Sequence, residues 1–272
     1  MQMDKLTLFI ELNESSFIFT IGEYDNDYNF KILEKINSEN KVFSQNKLTD
    51  IEEAKKLIKI NIQTIEQKHN FIFKEVIVIL DTFSYSCINV SDFKKLNGSQ
   101  ILKDNISYIL NSLKLSITEN ERDKSILHIF NTKSILDGVA MENLPIGLFG
   151  DFYSHELSFF LISSNDIKNI KKIFIQNNLN VKKFKIKDFV NGVQRINENK
   201  GNNTFFEIKI SKNKSKIVFF DHSAMKYIEN FNFGSDILYK DISKICSISN
   251  EIIKKILNDK VFNIQNLKNM IF

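Results

Sequence analysis

Histidine and cysteine are the residue types most often used in catalysis or metal binding, and this chain has four histidines and two cysteines. His155 precedes Glu156, but no second histidine follows at the spacing of a zinc-protease helix, and the flanking residues are typical of a strand. The other three are scattered, with no Cys or Asp at the spacing of metal ligands: His69, His128 and His222. Cys87 and Cys246 are too few for a disulfide framework or a zinc site. We therefore expect structural histidines and no metal site.

Carboxylates and hydroxyl groups occur together in two predicted hairpin turns. The first is the polar stretch 11–16, Glu-Leu-Asn-Glu-Ser-Ser, between two apolar runs. Its serines can donate hydrogen bonds to an anion, whereas Glu14 would repel one. The second is the stretch 207–216, which contains four lysines that either attract an anion or form a solvated face. For both turns, a solvent-facing hairpin without a ligand is the alternative. The glycine patterns of P-loops and dinucleotide sites are absent.

The elements around the first turn resemble one half of an α/β domain. Three predicted strands, a helix and a buried strand follow one another: 6–10, 16–22, 30–36, a helix from Thr49, and 76–80. Thr49 or Asp50 can cap the helix, with Glu52 or Glu53 close behind. The run 76–80 is apolar at every position, which favours a central strand covered on both faces. This order is typical of the opening of an RNase H-like half in the actin superfamily.

The last part of the chain repeats this plan. A polar stretch at 197–203 is the predicted linker. Three strands and two helices follow it: 205–210, 216–220, 228–233, a helix from Ser235 or Asp236, and a helix from Ser249 to about Leu257. The second hairpin turn lies at 212–214, and Gly234 ends the third strand. A repeated order of elements indicates internal duplication.

Between the two halves, residues 126–164 give the most specific pattern. This stretch contains a strand at 126–130, an extended run with a turn at Asp137-Gly138, the loop Leu144–Gly150 with the only proline, and an apolar strand at 156–162. The Pro and Gly-x-x-Gly of the loop allow the chain to turn back. Further elements are predicted on either side: a helix at 101–113, a helix at 167–177 capped by Asn165, a strand at 181–186 and a helix from Asp188.

This middle stretch resembles the inserted subdomain of FtsA, the actin-like cell-division protein. The resemblance rests on four short matches in register: 127–129, 135–138, 144–150 and 161–163. It implies an α/β, actin-like (RNase H-like) two-domain fold with a small α+β subdomain inserted in the first domain and an incomplete second domain. The implied limits are 1–88 and 165–200 for the first domain, 89–164 for the insert, and 201–272 for the start of the second domain.

The resemblance also implies that ATP and Mg²⁺ bind at two phosphate hairpins and at the start of a helix. It places eight residues there: Glu11, Asn13, Ser15, Ser16, Glu207, Ser211, Ser215 and Gly234. Glu11 keeps a carboxylate that can hold hydrated Mg²⁺. Asn13 stands where the family has glycine, the glycines of the second hairpin are missing, and the second turn looks two residues longer. We therefore expect a degenerate nucleotide site and no enzymatic activity.

The function implied by the resemblance is that of a division scaffold. Such proteins link FtsZ filaments to the inner face of the membrane, and their insert mediates self-association and recruits later division proteins. The part that binds FtsZ belongs to the missing portion of the second domain. An alternative within the fold is a pilus-assembly scaffold that binds a membrane partner's peptide, and a less favoured one is a sugar or acetate kinase.

Composition limits the remaining classes. Net charge is +4, from 37 basic and 33 acidic residues, but only two of the basic residues are arginine, so we read the lysines as compositional bias rather than a nucleic-acid surface. No apolar run is long enough to span a membrane, and the start of the sequence is not a signal peptide. We expect a cytoplasmic protein. The tail 261–272 forms a loose helical stripe that either lies on the membrane surface or packs as an ordinary helix.

Overall fold

The computed structural model describes residues 6–25, 29–44, 46–198 and 203–258, with the backbone alone at 254, 257 and 258. The chain divides into two compact units. The first unit contains Met1–Asn203 and Phe220–Lys226, and the second contains Thr204–Phe219 and Tyr227–Phe272. The predicted linker falls mostly outside the described residues, as does the whole of the tail 261–272.

Fourteen strands and six helices are present in the described part of the chain. The strands are β1 (Thr7–Leu12), β2 (Ser16–Tyr24), β3 (Phe30–Glu39), β4 (Phe43–Ser44), β5 (Lys47–Leu48), β6 (Glu75–Leu80), β7 (Tyr85–Lys95), β8 (Lys124–Leu136), β9 (Val139–Met141), β10 (Phe152–Ser163), β11 (Asn180–Ile186), β12 (Phe205–Ile210), β13 (Ser215–Asp221) and β14 (Ala224–Phe231). The helices are α1 (Ile51–His69), α2 (Lys103–Asn120), α3 (Ser164–Ile175), α4 (Lys187–Glu198), α5 (Ser235–Cys246) and α6 (Asn250–Asn258).

The main sheet of the first unit has the strand order β11-β6-β1-β2-β3. β1 pairs antiparallel with β2 and parallel with β6, and β6 pairs parallel with β11. The carboxyl ends of three neighbouring strands therefore meet at one edge of the sheet. β6 is central, as predicted, but its side chains alternate between buried and half-buried rather than being buried on both faces. The reason is that the α1 and α3 core covers the face of Val76, Val78 and Leu80.

Helices α1 and α3 cover this sheet. The Asp50 side chain caps α1 by accepting a hydrogen bond from the backbone N–H of Glu53 at 2.9 Å, and α1 ends at Asn70 in the left-handed region. The predicted start of α3 at residue 167 was wrong by three residues. The helix begins at Ser164, because Ser163 rather than Asn165 caps it. Ser163 is also the last residue of β10, so the strand passes directly into the helix.

The second sheet has the order β7-β10-β8-β9 and packs against α2 around a core of its own. The two extended runs predicted before the Asp137-Gly138 turn form one strand, β8, which pairs with β10 through two register shifts. The predicted helix at 101–113 begins later, at Lys103, because Ile101 donates its backbone N–H to Leu148 and is completely buried. The domain limits inferred from the sequence remain a prediction.

The third sheet has the order β12-β13-β14, and α5 and α6 follow it. β14 begins at Ala224, earlier than the predicted 228, because the two residues His222 and Ser223 adopt positive φ angles and close a tight turn after β13. Gly234 directly precedes α5. No helix in the described residues is long and apolar enough to cross a membrane.

Candidate functional site

Glu11 lies near the carboxyl end of β1, at the edge of the sheet where β1, β6 and β11 end. Its carboxylate is largely buried, and Oε2 lies 2.5 Å from Nζ of Lys187. Lys187 is the first residue of α4 and follows β11 without a loop. The carboxylate that the family resemblance assigns to Mg²⁺ is therefore neutralised by a cation of the chain itself.

The first hairpin turn is closed by its own backbone. The N–H of Asn13 donates to the carbonyl oxygen of Ser16 at 3.0 Å, and Asn40 donates its backbone N–H to the carbonyl of Ser15 and its side-chain amide to that of Asn13. None of residues 11–16, all of which the structure describes, has a positive φ angle. Backbone nests that bind phosphate alternate right-handed and left-handed residues. This turn is therefore not a phosphate nest.

The side chains of the same turn also suit solvent rather than phosphate. Glu14 and Ser15 are exposed, so a carboxylate stands beside the one accessible hydroxyl. Ser16 is buried at the start of β2, where it is paired with Glu39 of β3. An anion approaching Ser15 would therefore meet the negative charge of Glu14.

The second hairpin turn is tight. The N–H of Ser211 donates to the carbonyl of Lys214 at 2.8 Å, which leaves a loop of Lys212 and Asn213, shorter than the sequence suggested. Ser215 is buried, and its hydroxyl donates to the carbonyl of Phe233 at 2.8 Å. Glu207 is also buried, with Lys209 Nζ 3.6 Å from one of its carboxylate oxygens. The backbone N–H of Ser211 and the hydroxyl of Ser215 are thus engaged within the second unit.

The start of α5 is occupied by that hairpin. The backbone N–H groups of Ser235 and Asp236 donate to the carbonyls of Ser211 and Lys212, each at 3.0 Å. The first amides of a helix are the groups that bind anions at helix starts, and here the chain satisfies two of them itself. A Cβ at Gly234 would lie 2.1 Å from the carbonyl oxygen of Ser211. This close approach explains the glycine without a ligand.

The assignment of these eight residues to a nucleotide remains a prediction, and the residues do not fit ATP and Mg²⁺ as arranged. The first set contacts Lys187 and Asn40 within the first unit, and the second set contacts the start of α5 within the second unit. No cluster of three or more metal-ligand side chains occurs in the described part of the chain. Sequence reasoning missed both Lys187 and Asn40. The available signal was that Lys187 follows a predicted strand that ends beside Glu11.

Three of the histidines have close structural contacts, the first being His69, whose Nε2 lies 2.7 Å from a carboxylate oxygen of Glu34. His128 accepts a hydrogen bond at Nε2 from the backbone N–H of Ile186 at 3.2 Å, and its ring lies 5.2 Å from that of Phe189. Burial lowers the pKa of His128 to about 4, and the charge of Lys185 acts in the same direction. Burial also lowers the pKa of His155, whose Nε2 lies 2.7 Å from the amide oxygen of Asn131. Both rings are therefore neutral at pH 7.

The loop Leu144–Phe149, which we call the insert tip, is held rigidly and exposes apolar side chains. Gly147 donates its N–H to Ile101, and Ile101 donates its N–H to Leu148. The carboxylate of Asp137 accepts from the backbone N–H groups of Asp151 and Phe152 at 2.9 and 2.8 Å. Four of its apolar side chains are at least 40% exposed: Leu144, Ile146, Leu148 and Phe149. An exposed apolar surface on a rigid loop is typical of a protein-binding site.

Comparison with known proteins shows the fold. No protein-family model matches the sequence, and no curated protein matches it. The PilM-PilN type IV pilus biogenesis complex matches 94% of this chain and 69% of that chain, with 9% identity and a TM-score of 0.55. The ethanolamine utilization protein EutJ from Carboxydothermus hydrogenoformans matches 98% of this chain and 66% of that chain, with 7% identity and a TM-score of 0.43. A Bacteroides thetaiotaomicron protein with an actin-like ATPase fold matches 90% of this chain and 77% of that chain, with 11% identity and a TM-score of 0.39.

The chain thus spans about two thirds to three quarters of the length of these structures. Its fold is actin-like, as the sequence predicted. The strand order of the first sheet and its arrangement around β1 and β6 agree with this class. The likeness does not single out FtsA among actin-like proteins.

Proposed function

We propose that this chain is an actin-fold scaffold that acts by binding other proteins and does not use nucleotide. The contact that carries the proposal is the ion pair between Glu11 and Lys187, which places a cation of the chain on the carboxylate expected to hold Mg²⁺. The hydrogen bonds from the start of α5 to the second hairpin support the same conclusion, because they occupy amides that would otherwise face a phosphate. A scaffold that does not use nucleotide needs neither a free carboxylate at Glu11 nor free backbone amides at the start of α5.

The insert tip is the proposed surface for self-association. Its backbone is fixed by paired hydrogen bonds, so little conformational entropy is lost when a partner binds. Phe149 is 69% exposed and gives the surface an aromatic side chain of the kind that anchors protein interfaces. This placement agrees with the role that the sequence resemblance assigns to the insert.

Two settings are proposed for the scaffold. The sequence resemblance favours a division protein of the FtsA type, and the structural likeness to the PilM-PilN complex favours an assembly protein of the pilus type. We leave FtsZ out of the proposed partners, because no described residue and no likeness supports it. A fluorescent fusion in the source cell distinguishes them, since midcell rings support division and any other stable location supports the pilus-type setting.

The scaffold role is tested by sedimentation velocity over a range of concentrations, with and without Mg·ATP. We expect a sedimentation coefficient that rises with concentration to the same extent in both conditions. Phe149→Asp should abolish the rise, whereas Leu115→Asp, at an apolar position on α2 that is also more than half exposed, should not. Assembly that requires Mg·ATP would contradict the proposed function. A monomer at every concentration would contradict self-association through the insert tip.

A further inference from the structure

An open groove of about 580 Å³ lies at the amino-terminal ends of β1 and β6, at the opposite end of these strands from Glu11. Its walls include Leu6 at the start of the sheet and the rings of Phe71 and Phe73, whose centroids are 4.9 Å apart. Leu8 and Val76 are buried and close its floor. A groove of this size with apolar walls is suited to a ligand of several residues or of drug-like size.

The rim of the groove is positively charged. Lys74, Lys182 and Lys183 lie along it together with Glu75. Glu75 is paired with Lys182 at 2.9 Å, whereas Lys74 and Lys183 make no ion pair with any described residue and are exposed. Two lysine charges are therefore available beside an apolar groove, which favours an occupant with acidic groups next to its apolar ones.

The backbone at one side of the groove favours a peptide over a lipid. Residues 71–74 run without helix or strand between α1 and β6. The N–H groups of Phe71 and Phe73 both bind Glu66, and the carbonyl of Lys74 binds Asn180. Ile72, whose side chain is 75% exposed, has neither its N–H nor its carbonyl bonded to another described residue. An extended peptide can pair with such a residue through its own backbone, which an acyl chain cannot do.

We propose that this groove binds an extended, apolar segment of a partner protein that carries acidic side chains. The apolar side chains of the segment enter between Leu6 and Phe71, its acidic groups meet Lys74 and Lys183, and its backbone pairs with Ile72. The proposal goes beyond the scaffold role, because this surface is separate from the insert tip and does not depend on whether the nucleotide position is closed.

A peptide selection on the chain described above tests the proposal. A displayed library of random peptides of about twelve residues is selected on the immobilised protein, and the most enriched sequence is synthesised with a fluorescent label for anisotropy measurements. We expect enriched peptides to combine apolar and acidic residues. Ile72→Glu and Lys183→Glu should each weaken binding by about tenfold or more, since each places a negative charge beside the acidic groups of the peptide.

Matched variants and two further measurements complete the test. Ile175→Glu and Lys168→Glu change the same residue types at exposed positions of α3 and should leave binding unchanged. No enrichment, or peptides whose binding is insensitive to Ile72→Glu and Lys183→Glu, would overturn the proposal. So would binding to anionic phospholipid vesicles that depends on Lys183 without any enriched peptide. Peptide binding that appears only after deletion of residues 1–5 would also overturn it, because the groove would then bind a segment of this chain rather than of a partner.

Discussion

Lys187 and Glu11 are 176 residues apart in the chain, and their side chains meet at 2.5 Å at the edge where the parallel strands end. In an actin-like fold this edge is where sequence resemblance places a metal-bound phosphate. Here the edge holds a partly buried ion pair, and Asn40, which directly follows β3, donates hydrogen bonds to the neighbouring turn. The turn is closed by hydrogen bonds within the chain, although the buried side-chain oxygen of Asn13 has no hydrogen-bond partner among the described residues.

The ion pair should stabilise the first unit. Lys187→Met leaves the largely buried carboxylate of Glu11 without a counter-charge, so we expect a loss of about 2 kcal/mol in the free energy of unfolding, measured by urea denaturation. Adding Glu11→Gln to Lys187→Met should recover part of the loss, because the amide carries no charge. If Lys187→Met has no effect on stability, the ion pair does not hold this edge together.

Gly234 should be essential for the second unit. A Cβ at this position would approach the carbonyl oxygen of Ser211 to 2.1 Å, so Gly234→Ala should destabilise the unit by about 2–3 kcal/mol through overpacking. Gly98→Ala is a useful comparison, because its Cβ would enter open space and the cost of about 1 kcal/mol would come only from its positive φ angle. Thermal denaturation of the two variants checks that Gly234→Ala is the less stable. Equal losses of stability in the two variants would mean that the hairpin moves readily away from α5.

Stability should fall with acidification in the range set by His128. Burial lowers its pKa from the ordinary 6.5 to about 4, so the unfolded chain binds a proton between these pH values while the folded protein does not. The contribution is therefore present above pH 6.5 and is lost as the pH falls toward 4, on the order of 2–3 kcal/mol. His128→Gln should flatten this part of a pH series of urea denaturations. An unchanged slope in His128→Gln would contradict this assignment.

Asp137 should determine the rigidity of the insert tip. Asp137→Ala removes the acceptor for two backbone N–H groups and places alanine at a positive φ angle, so we expect faster hydrogen exchange at Asp151 and Phe152 and a loss of about 1–2 kcal/mol. Asp137→Asn keeps an acceptor oxygen and a residue type that tolerates this backbone, and should exchange nearly as slowly as the parent. Fast exchange in both variants would show that the loop does not depend on this oxygen.

The sequence predicted the elements whose signals are local. The cap at Asp50, the rhythm of α1 and the turn at Asp137-Gly138 all depend on residues within one or two turns of each other. The start of α2 was wrong because Ile101, which fits the helical pattern, pairs instead with the loop residue Leu148. A pairing between residues so far apart in the chain leaves no trace in a periodic pattern.

The sequence indicated degenerate phosphate turns, but not the contacts that the residues of these turns make within the chain. The substitutions of glycine by Asn13 and the presence of Glu14 indicated a degenerate phosphate turn. That Lys187 neutralises Glu11, and that the start of α5 binds the second hairpin, required the three-dimensional arrangement. Gly234 illustrates the difference, because the family resemblance assigned it to a nucleotide, whereas its structural reason is a close backbone contact.

The most direct test of a scaffold that does not use nucleotide is a thermal denaturation series with Mg·ATP from micromolar to millimolar concentration. We predict no shift in the midpoint, because the carboxylate and the helix amides expected to hold nucleotide are already engaged within the chain. Nucleotide at about 100 times its dissociation constant would instead stabilise the protein by about 2.7 kcal/mol, which is a shift of several degrees. A saturable shift of that size would show that the protein binds Mg·ATP and would contradict the proposal that it does not use nucleotide.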